Sequence, residues 1–119
     1  MIGSKEKRKT GDRGERRTAL YLILRGYRIL ERNYTVGHKE IDIIASRGHV
    51  LAFVEVKTRR DTVNSTPASA VTMKKRRNLA AAARAYCSLH DTSDKTVRFD
   101  VSEVPVKGRI NYIANAFTE

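Results

Sequence analysis

The sequence predicts an α/β or α+β domain in which a central mixed β-sheet is flanked by two main helices, in the order α-β-β-β-α-β-β. Two segments place apolar residues at helical spacing, and five shorter runs rich in β-branched and aromatic residues are separated by turn residues. The 119 residues, of which 40% are hydrophobic, are enough for one domain with a buried core.

The first helix is predicted over residues 11–25, with Gly26 as its stop signal. Its core-facing side is marked by residues at helical spacing: Glu15, Ala19, Leu22 and Ile23. Residues 1–10 are rich in Lys and Arg and are predicted to form a flexible basic arm. The single domain therefore comprises residues 11–119.

The five strands are predicted at residues 27–34, 40–46, 50–57, 96–104 and 109–117. A polar stretch at residues 58–66 is predicted to be a loop, followed by a short helical turn at 67–71. Thr72 can cap the second helix, which reaches residue 89. The predicted buried side of this helix is Leu79, Ala80, Ala83, Tyr86 and Cys87.

The charge of the chain predicts a polyanionic partner. The sequence has 24 Lys and Arg against 13 Asp and Glu, a net charge of +11, which favours nucleic acid. A membrane surface is disfavoured, because no apolar run approaches the ~20 residues of a span and no basic segment has an aromatic opposite face. Few aromatic residues indicate recognition of the backbone rather than base stacking. The single cysteine, Cys87, and the lack of a signal sequence predict a cytoplasmic protein.

Charged residues occupy positions of the central strands where apolar residues are expected. Alternation separates Asp42 from Ile41 and Ile43, and it sets Glu55 and Lys57 together on one face of the next strand. Strands that are otherwise apolar on both faces lie in the middle of a covered sheet. A charge buried there is costly unless it is paired or binds a metal.

The hairpin turn decides whether the two acids meet. A two-residue loop at Gly48-His49 sets Asp42 directly opposite Glu55. A loop at Arg47-Gly48 leaves them diagonal on the same face, and a three-residue loop turns them to opposite faces. Glycine as the first central residue favours the first register through a type II′ turn.

Three acids and a lysine that converge suit Mg²⁺, which prefers hard oxygen ligands. Glu15 is expected to point inward from the first helix toward Asp42 and Glu55. A structural alternative is a buried ion pair between Glu55 and Lys57, with Asp42 capping a turn.

Asp42, followed thirteen residues later by Glu55-x-Lys57 at the end of an apolar strand, resembles the metal-binding core of the PD-(D/E)xK nucleases. That superfamily includes restriction endonucleases and archaeal Holliday-junction resolvases. More narrowly, residues 11–104 are similar to the small bacterial YraN-like family. The matching positions are Gly14, Glu15 and Lys75, with residues 40–44, 53–59 and 98–101.

The resemblance implies a restriction-endonuclease-like fold and a metal-dependent nuclease site. Asp42, Glu55 and the backbone carbonyl of Val56 would hold Mg²⁺ (or Mn²⁺), with Glu15 completing the shell. Lys57 would orient the attacking water or stabilise the phosphate in the transition state.

The chain departs from the family pattern at three points. Lys39 stands where the family commonly has glycine, and Ile41 stands where the superfamily's proline would precede Asp42. The sequence contains no glutamine, so the helix glutamine of some nuclease branches is absent, and Lys75 is its nearest substitute.

Basic residues beside this site predict the nucleic-acid surface. The first turn of the second helix carries four cations where the helix dipole disfavours them: Lys74, Lys75, Arg76 and Arg77. A phosphate arriving at this helix start would be favoured by both the amides and the charges, although a solvated basic turn is the simpler alternative. Arg59 and Arg60, just past the third strand, are the other predicted phosphate contacts.

The sequence therefore predicts a Mg²⁺-dependent endonuclease that hydrolyses DNA phosphodiester bonds, including those of branched DNA. The alternative is a nucleic-acid-binding module on the nuclease scaffold with negligible cleavage. RNA is a second candidate ligand, and symmetric cutting of a two-fold substrate would require a homodimer.

Overall fold

The structure, a computed structural model, describes residues 2–59 and 72–118, with side chains for 13–58 and 72–118. The elements of these segments occur in the predicted order. They are α1 (Ile2–Leu24), β1 (Arg28–Val36), β2 (Lys39–Arg47), β3 (Val50–Arg59), α2 (Met73–Leu89), β4 (Thr96–Pro105) and β5 (Asn111–Phe117). The predicted turn at 67–71 and most of the predicted loop before it lie outside the described residues. Neither helix has the length and apolar content that crossing a bilayer demands.

The five strands form one mixed sheet in the order β1-β2-β3-β4-β5. Strands β3 and β4 run parallel, whereas the other neighbours run antiparallel. A parallel pair needs a long crossover connection, and the segment that contains α2 supplies it. The predicted central mixed sheet with two main helices is confirmed.

The helices contribute to separate cores on the sheet. Leu22 of α1 packs in a cluster with Ile43 and Val54. Tyr86 of α2 packs in another cluster, with Phe53 and Phe99. Because successive strand residues point to opposite faces, Phe53 and Val54 show that β3 is apolar on both sides. The middle of the sheet is therefore a low-dielectric environment for any charge placed there.

Helix α1 begins at Ile2, well before the predicted start at residue 11. Residues 2–10 are therefore part of the helix in the structure, and their flexibility as an arm stays a prediction. This segment lacks proline and is rich in Lys, Arg and Glu, which are good helix formers that extend a helix once its later turns are anchored.

The buried stripe of α1 is shifted around the helix from the predicted one, with Thr18 buried in place of Ile23. Its buried members are Glu15, Thr18, Ala19 and Leu22. Ile23, predicted to face the core, is 53% exposed. The stripe follows the i, i+3, i+4, i+7 spacing of one helix face, and Ile23 falls beyond its edge.

Helix α2 begins at the predicted cap. The Thr72 hydroxyl accepts a hydrogen bond from the Lys75 amide at 3.2 Å, as an N-cap does. The predicted positions Leu79, Ala80, Ala83 and Tyr86 are buried, and Cys87 is half-buried against the same cluster. The N-cap of α2 and its buried side are therefore confirmed as predicted from the local sequence.

A buried carboxylate ties β4 to β5. Asp100 is fully buried and accepts two hydrogen bonds from the Arg98 guanidinium, at 2.9 and 2.8 Å. It also accepts from the Tyr112 hydroxyl at 2.5 Å and the Asn115 amide at 2.8 Å. Burial and the Asp100 charge raise the pKa of Tyr112, so its hydroxyl stays a donor. Asp100 thus pairs with Arg98 and links β4 to β5.

Candidate active site

The pairing of β2 with β3 ends next to the two acids that the sequence predicts to be neighbours, Asp42 and Glu55. The strands pair in the register expected for a two-residue loop that starts at Gly48, whose φ is +57°. The last pair joins Ile43 to Val54, and one further step in the same register would set Asp42 opposite Glu55. The predicted register is confirmed, and the pairing stops next to the two acids.

Asp42 closes this open end with its side chain. Its Oδ2 accepts a hydrogen bond from the Val56 amide at 2.8 Å. The bond fixes one carboxylate oxygen where the strands diverge and leaves the other oxygen for different partners.

The strand alternation predicted around Asp42 is wrong at one point. Ile41 packs in the cluster that contains α2 residues, whereas Ile43 packs in the cluster that contains α1 residues. Asn33, which lies between the β1 residues paired with these two isoleucines, has a φ of +53°. Regular alternation along β2 is therefore interrupted opposite Asn33, at a point that we call the kink.

Three carboxylates meet at the kink. Glu15, Glu40 and Asp42 each place one oxygen within 4.8 Å of the others. Glu15 comes from α1 and is only 7% exposed, and Arg32 lies 3.5 Å from its Oε1. Glu15 and Asp42 were predicted site residues, whereas Glu40 was not. Alternation along a strand places residues two positions apart on one face, so Glu40 could have been predicted to lie beside Asp42.

A close helix–strand contact positions Glu15. A Cβ built at the preceding Gly14 would lie 2.6 Å from the Thr58 hydroxyl and 3.4 Å from a Val56 methyl. Only glycine allows α1 to approach β3 this closely. The glycine therefore brings the Glu15 carboxylate to the end of the sheet where Asp42 lies.

Asp42 is held in an environment that disfavours its charge. Burial and then the neighbouring Glu55 carboxylate raise the pKa of Asp42 to about 8, and Glu15 and Glu40 add to the effect. The hydrogen bond from Val56 opposes the shift without cancelling it. The cluster therefore retains a proton at neutral pH that a divalent cation would displace.

Lys75 and Lys57 add cations to the site. Lys75 reaches from the first turn of α2 and places its Nζ 3.3 Å from Oε2 of Glu55. Burial lowers the pKa of Lys75, but the Glu55 charge and hydrogen bond outweigh burial and raise it, so Lys75 is protonated. Lys57 is half-buried two residues after Glu55 and pairs with Glu103 of β4 in the ladder.

A cleft of about 260 Å³ gives solvent access to these groups. It is lined by His38, Lys39, Glu40, Asp42, Glu55, Lys75, Asn78 and Leu79. Carboxylates lie inside it and basic groups contribute to its walls, an arrangement that accommodates a cation and an incoming phosphate together.

The predicted basic cluster of α2 divides between two surfaces. Lys75 lines the cleft, whereas Arg76 and Arg77 line a separate groove of about 330 Å³. Arg76 also lies over the Phe117 ring, 5.2 Å from its centroid. Lys74 is exposed. Arg59 ends β3, but its side chain and the whole of residue 60 lie outside the described residues.

The two flanked faces, the strand order and the acids at the open hairpin define a restriction-endonuclease-like fold. The structure is similar to Hjc, a Holliday junction resolvase from the archaeal hyperthermophile Archaeoglobus fulgidus, with a TM-score of 0.59. The match covers 87% of this chain and 75% of the resolvase, at 18% sequence identity. It establishes the fold.

The chain belongs to the uncharacterised protein family UPF0102, whose sequence profile matches residues 14–104. It is 43% identical over 109 residues to a UPF0102 protein of Alkaliphilus metalliredigens, covering 90% of this chain and 96% of that relative. It is 44% identical over 114 residues to a relative from Symbiobacterium thermophilum, covering 92% and 97% respectively. The resemblance to the YraN-like family is confirmed.

Proposed function

We propose that this protein is a Mg²⁺- or Mn²⁺-dependent endonuclease that hydrolyses DNA phosphodiester bonds, including those of branched DNA. The observation that carries the proposal is the meeting of the Glu15, Glu40 and Asp42 carboxylates within 4.8 Å, with Glu40 and Asp42 lining an accessible cleft and Glu15 buried behind them. The net charge of +11 and the resolvase-like fold support a polyanionic substrate.

The residues of the cleft fit a divalent cation. Carboxylate oxygens are the ligands that Mg²⁺ prefers. Burial and the neighbouring carboxylates raise the pKa of Asp42, even though Arg32 pairs with Glu15 and Lys75 pairs with Glu55, so a further cation would favour the charged form of Asp42. Asp42, Glu15 and Glu40 would hold the ion, joined by Glu55 and the carbonyl of Val56. When bound, the ion would supply positive charge to the scissile phosphate and make a water molecule easier to deprotonate.

Two lysines, Lys57 and Lys75, would add positive charge beside the bound phosphate. Lys57 follows Glu55 by two residues on β3, so alternation sets both side chains on one face of the strand, although Lys57 is not among the residues that line the cleft. In this proposal its ammonium group reaches a phosphate bound beside Glu55. There it would stabilise the negative charge that develops on the phosphate oxygens. Lys75 anchors the Glu55 carboxylate and provides a second cation at the cleft wall.

One contact favours the alternative function, a nucleic-acid-binding module without appreciable cleavage. The Lys75 ammonium group already occupies the Glu55 carboxylate, as a cation would. If that pair persists with substrate bound, Glu55 is withheld from the metal and the protein binds DNA without efficient cutting.

The two functions separate in a cleavage assay. Purified protein is incubated with linear, flapped and four-way DNA, and with matched RNA, with and without Mg²⁺ or Mn²⁺. We expect metal-dependent cutting of DNA by the wild type and its loss, by at least about 100-fold, in Asp42→Asn and Lys57→Ala. Asp94→Asn, an exposed acid in the turn before β4, is the matched control and should cut normally.

Each other outcome has a definite meaning. Binding without cutting under every metal condition would establish the binding module instead. Cutting that survives both Asp42→Asn and Lys57→Ala would reveal a contaminating nuclease. Sedimentation of the protein with and without four-way DNA tests the homodimer, which stays a prediction.

A further inference from the structure

A second basic groove lies beside α1, apart from the acidic cleft. It has a volume of about 470 Å³ and is lined by Arg17, Tyr21, Arg25, Arg109 and Ile110. We call it the arginine groove. None of its lining residues was predicted as a nucleic-acid contact, because Arg17, Tyr21 and Arg25 lie in a helix far in sequence from Arg109 and Ile110.

Two of the groove's three guanidinium groups, those of Arg17 and Arg25, are held in place by the protein. Arg17 donates to the carbonyls of Pro105 at 2.7 Å and Gly108 at 2.6 Å. Arg25 lies over the Tyr21 ring, 3.5 Å from its centroid, and donates to the Tyr21 carbonyl. Tyr21 in turn stacks on Tyr112. Little side-chain freedom is left for a ligand to remove, so binding costs less entropy.

The positive charge of the groove is not neutralised within the described residues. None of their carboxylates forms an ion pair with Arg17, Arg25 or Arg109. A guanidinium has five N–H donors, and the protein uses two of those on Arg17 and one on Arg25. Fixed cations with unused donors are the chemistry that recognises phosphate.

We propose that the arginine groove binds the phosphate backbone of duplex DNA at a distance from the bond in the acidic cleft. The inference rests on the proposed function for the identity of the ligand. Arg25 follows Glu15 by ten residues on one helix, about 15 Å along its axis. In this proposal the duplex runs along α1, and at about 3.4 Å per base pair Arg25 contacts it roughly four base pairs from the acids. The groove thus anchors the duplex that flanks the cleavage point.

The test is salt-dependent binding of a 30-base-pair duplex, measured by fluorescence anisotropy in EDTA so that cleavage plays no part. Arg25→Gln with Arg109→Gln should lower the slope of log affinity against log salt by about two, because each phosphate contact contributes about 0.9. That change corresponds to roughly 60-fold weaker binding at 0.1 M salt relative to 1 M. Arg17 is left intact because it also holds the β4–β5 turn.

Two controls isolate the groove. Arg28→Gln removes an exposed arginine beside Tyr27 and Ile29, which pack in the α1-side core, so Arg28 lies on the other face. It should leave the slope unchanged. The double lysine variant, with Arg25→Lys and Arg109→Lys, keeps the charge and should retain the slope while showing that substitution alone does not disturb folding.

The inference is overturned if the glutamine variant binds DNA as the wild type does, or if Arg28→Gln loses as much DNA affinity as the glutamine variant. It is also overturned if the glutamine variant loses affinity only for an RNA duplex or only for anionic phosphatidylglycerol vesicles. The proposed nuclease activity is judged separately. If the wild type never cuts but the glutamine variant loses DNA binding, the groove stands and the nuclease proposal fails. If the wild type cuts DNA and the glutamine variant binds DNA normally, the nuclease proposal stands and the groove proposal fails.

Discussion

Replacing Asp42 with asparagine should stabilise the metal-free protein while abolishing its response to metal. The substitution keeps the shape of the side chain and an oxygen that accepts the Val56 hydrogen bond. It removes the negative charge that burial and Glu55 disfavour. The stability of the fold and the capacity of the site are therefore expected to change in opposite directions.

The magnitude follows from proton linkage. The carboxyl group of Asp42 titrates at about 8 in the folded chain and at 3.8 in the unfolded reference. Between these values the folded state holds a proton that the unfolded state has lost, so stability falls as pH rises through this window. One group contributes up to about 1.4 kcal/mol per pH unit, or about 2–4 kcal/mol between pH 5 and 8 once solvent screening is included.

Urea unfolding in EDTA at pH 5, 7 and 8 measures this difference. The free energy of unfolding of Asp42→Asn should exceed that of the wild type at pH 8 and converge on it toward pH 5. Asp94→Asn makes the same change of net charge at an exposed position and should follow the wild type. Mg²⁺ at ten times its dissociation constant should then stabilise the wild type by about 1.4 kcal/mol at pH 8. Asp42→Asn should not respond.

Two results would refute this reasoning. If the free energies of unfolding of the wild type and Asp42→Asn change with pH in parallel, the fold does not raise the pKa of the Asp42 carboxyl group. Equal stabilisation of both proteins by Mg²⁺ would place the cation elsewhere.

Three further predictions test the surroundings of the site. Gly14→Ala should cost about 1–3 kcal/mol of stability and weaken Mg²⁺ binding, because the new methyl group meets the Thr58 hydroxyl at 2.6 Å. Thr58→Ala in the same chain should recover part of both losses in urea unfolding and calorimetry, and no recovery would contradict the contact. Asp100→Asn should cost about 3–5 kcal/mol in urea unfolding, since it leaves the Arg98 guanidinium without its carboxylate; a cost below 1 kcal/mol would argue against the buried pair. Glu40→Gln should weaken Mg²⁺ binding in titration calorimetry without moving the unfolding midpoint, because Glu40 is exposed, and unchanged affinity would remove it from the ligand set.

Local patterns were sufficient for the framework of the fold. The order of the elements, the Thr72 cap and the Gly48 hairpin register were predicted and are confirmed. Each depends on residues close in sequence, whose capping, turn and alternation preferences act over a few positions. The start of α1 was wrong for the same reason, since no capping signal marks it and a charged segment continues the helix.

The candidate site was predicted only in part. Asp42, Glu55 and Lys57 follow from alternation along two strands, and Glu15 follows from helical spacing on the core-facing side of the first helix. Glu40 was not predicted, although its position two residues before Asp42 sets the two acids on one face of a regular strand. The arginine groove was not predicted, because its residues meet only when the β4–β5 turn lies against α1.

The sequence by itself determined that two acid-bearing strands would pair with their carboxylates at the end of a basic, covered sheet. Only the tertiary structure decided which groups share that point. In the structure Lys75 lines the cleft, whereas Arg76 lines a separate groove. The close contact at Gly14 places Glu15 beside Asp42. The physical reason is that periodicity assigns a side chain to a face, whereas the meeting of side chains from distant segments depends on how closely the elements pack.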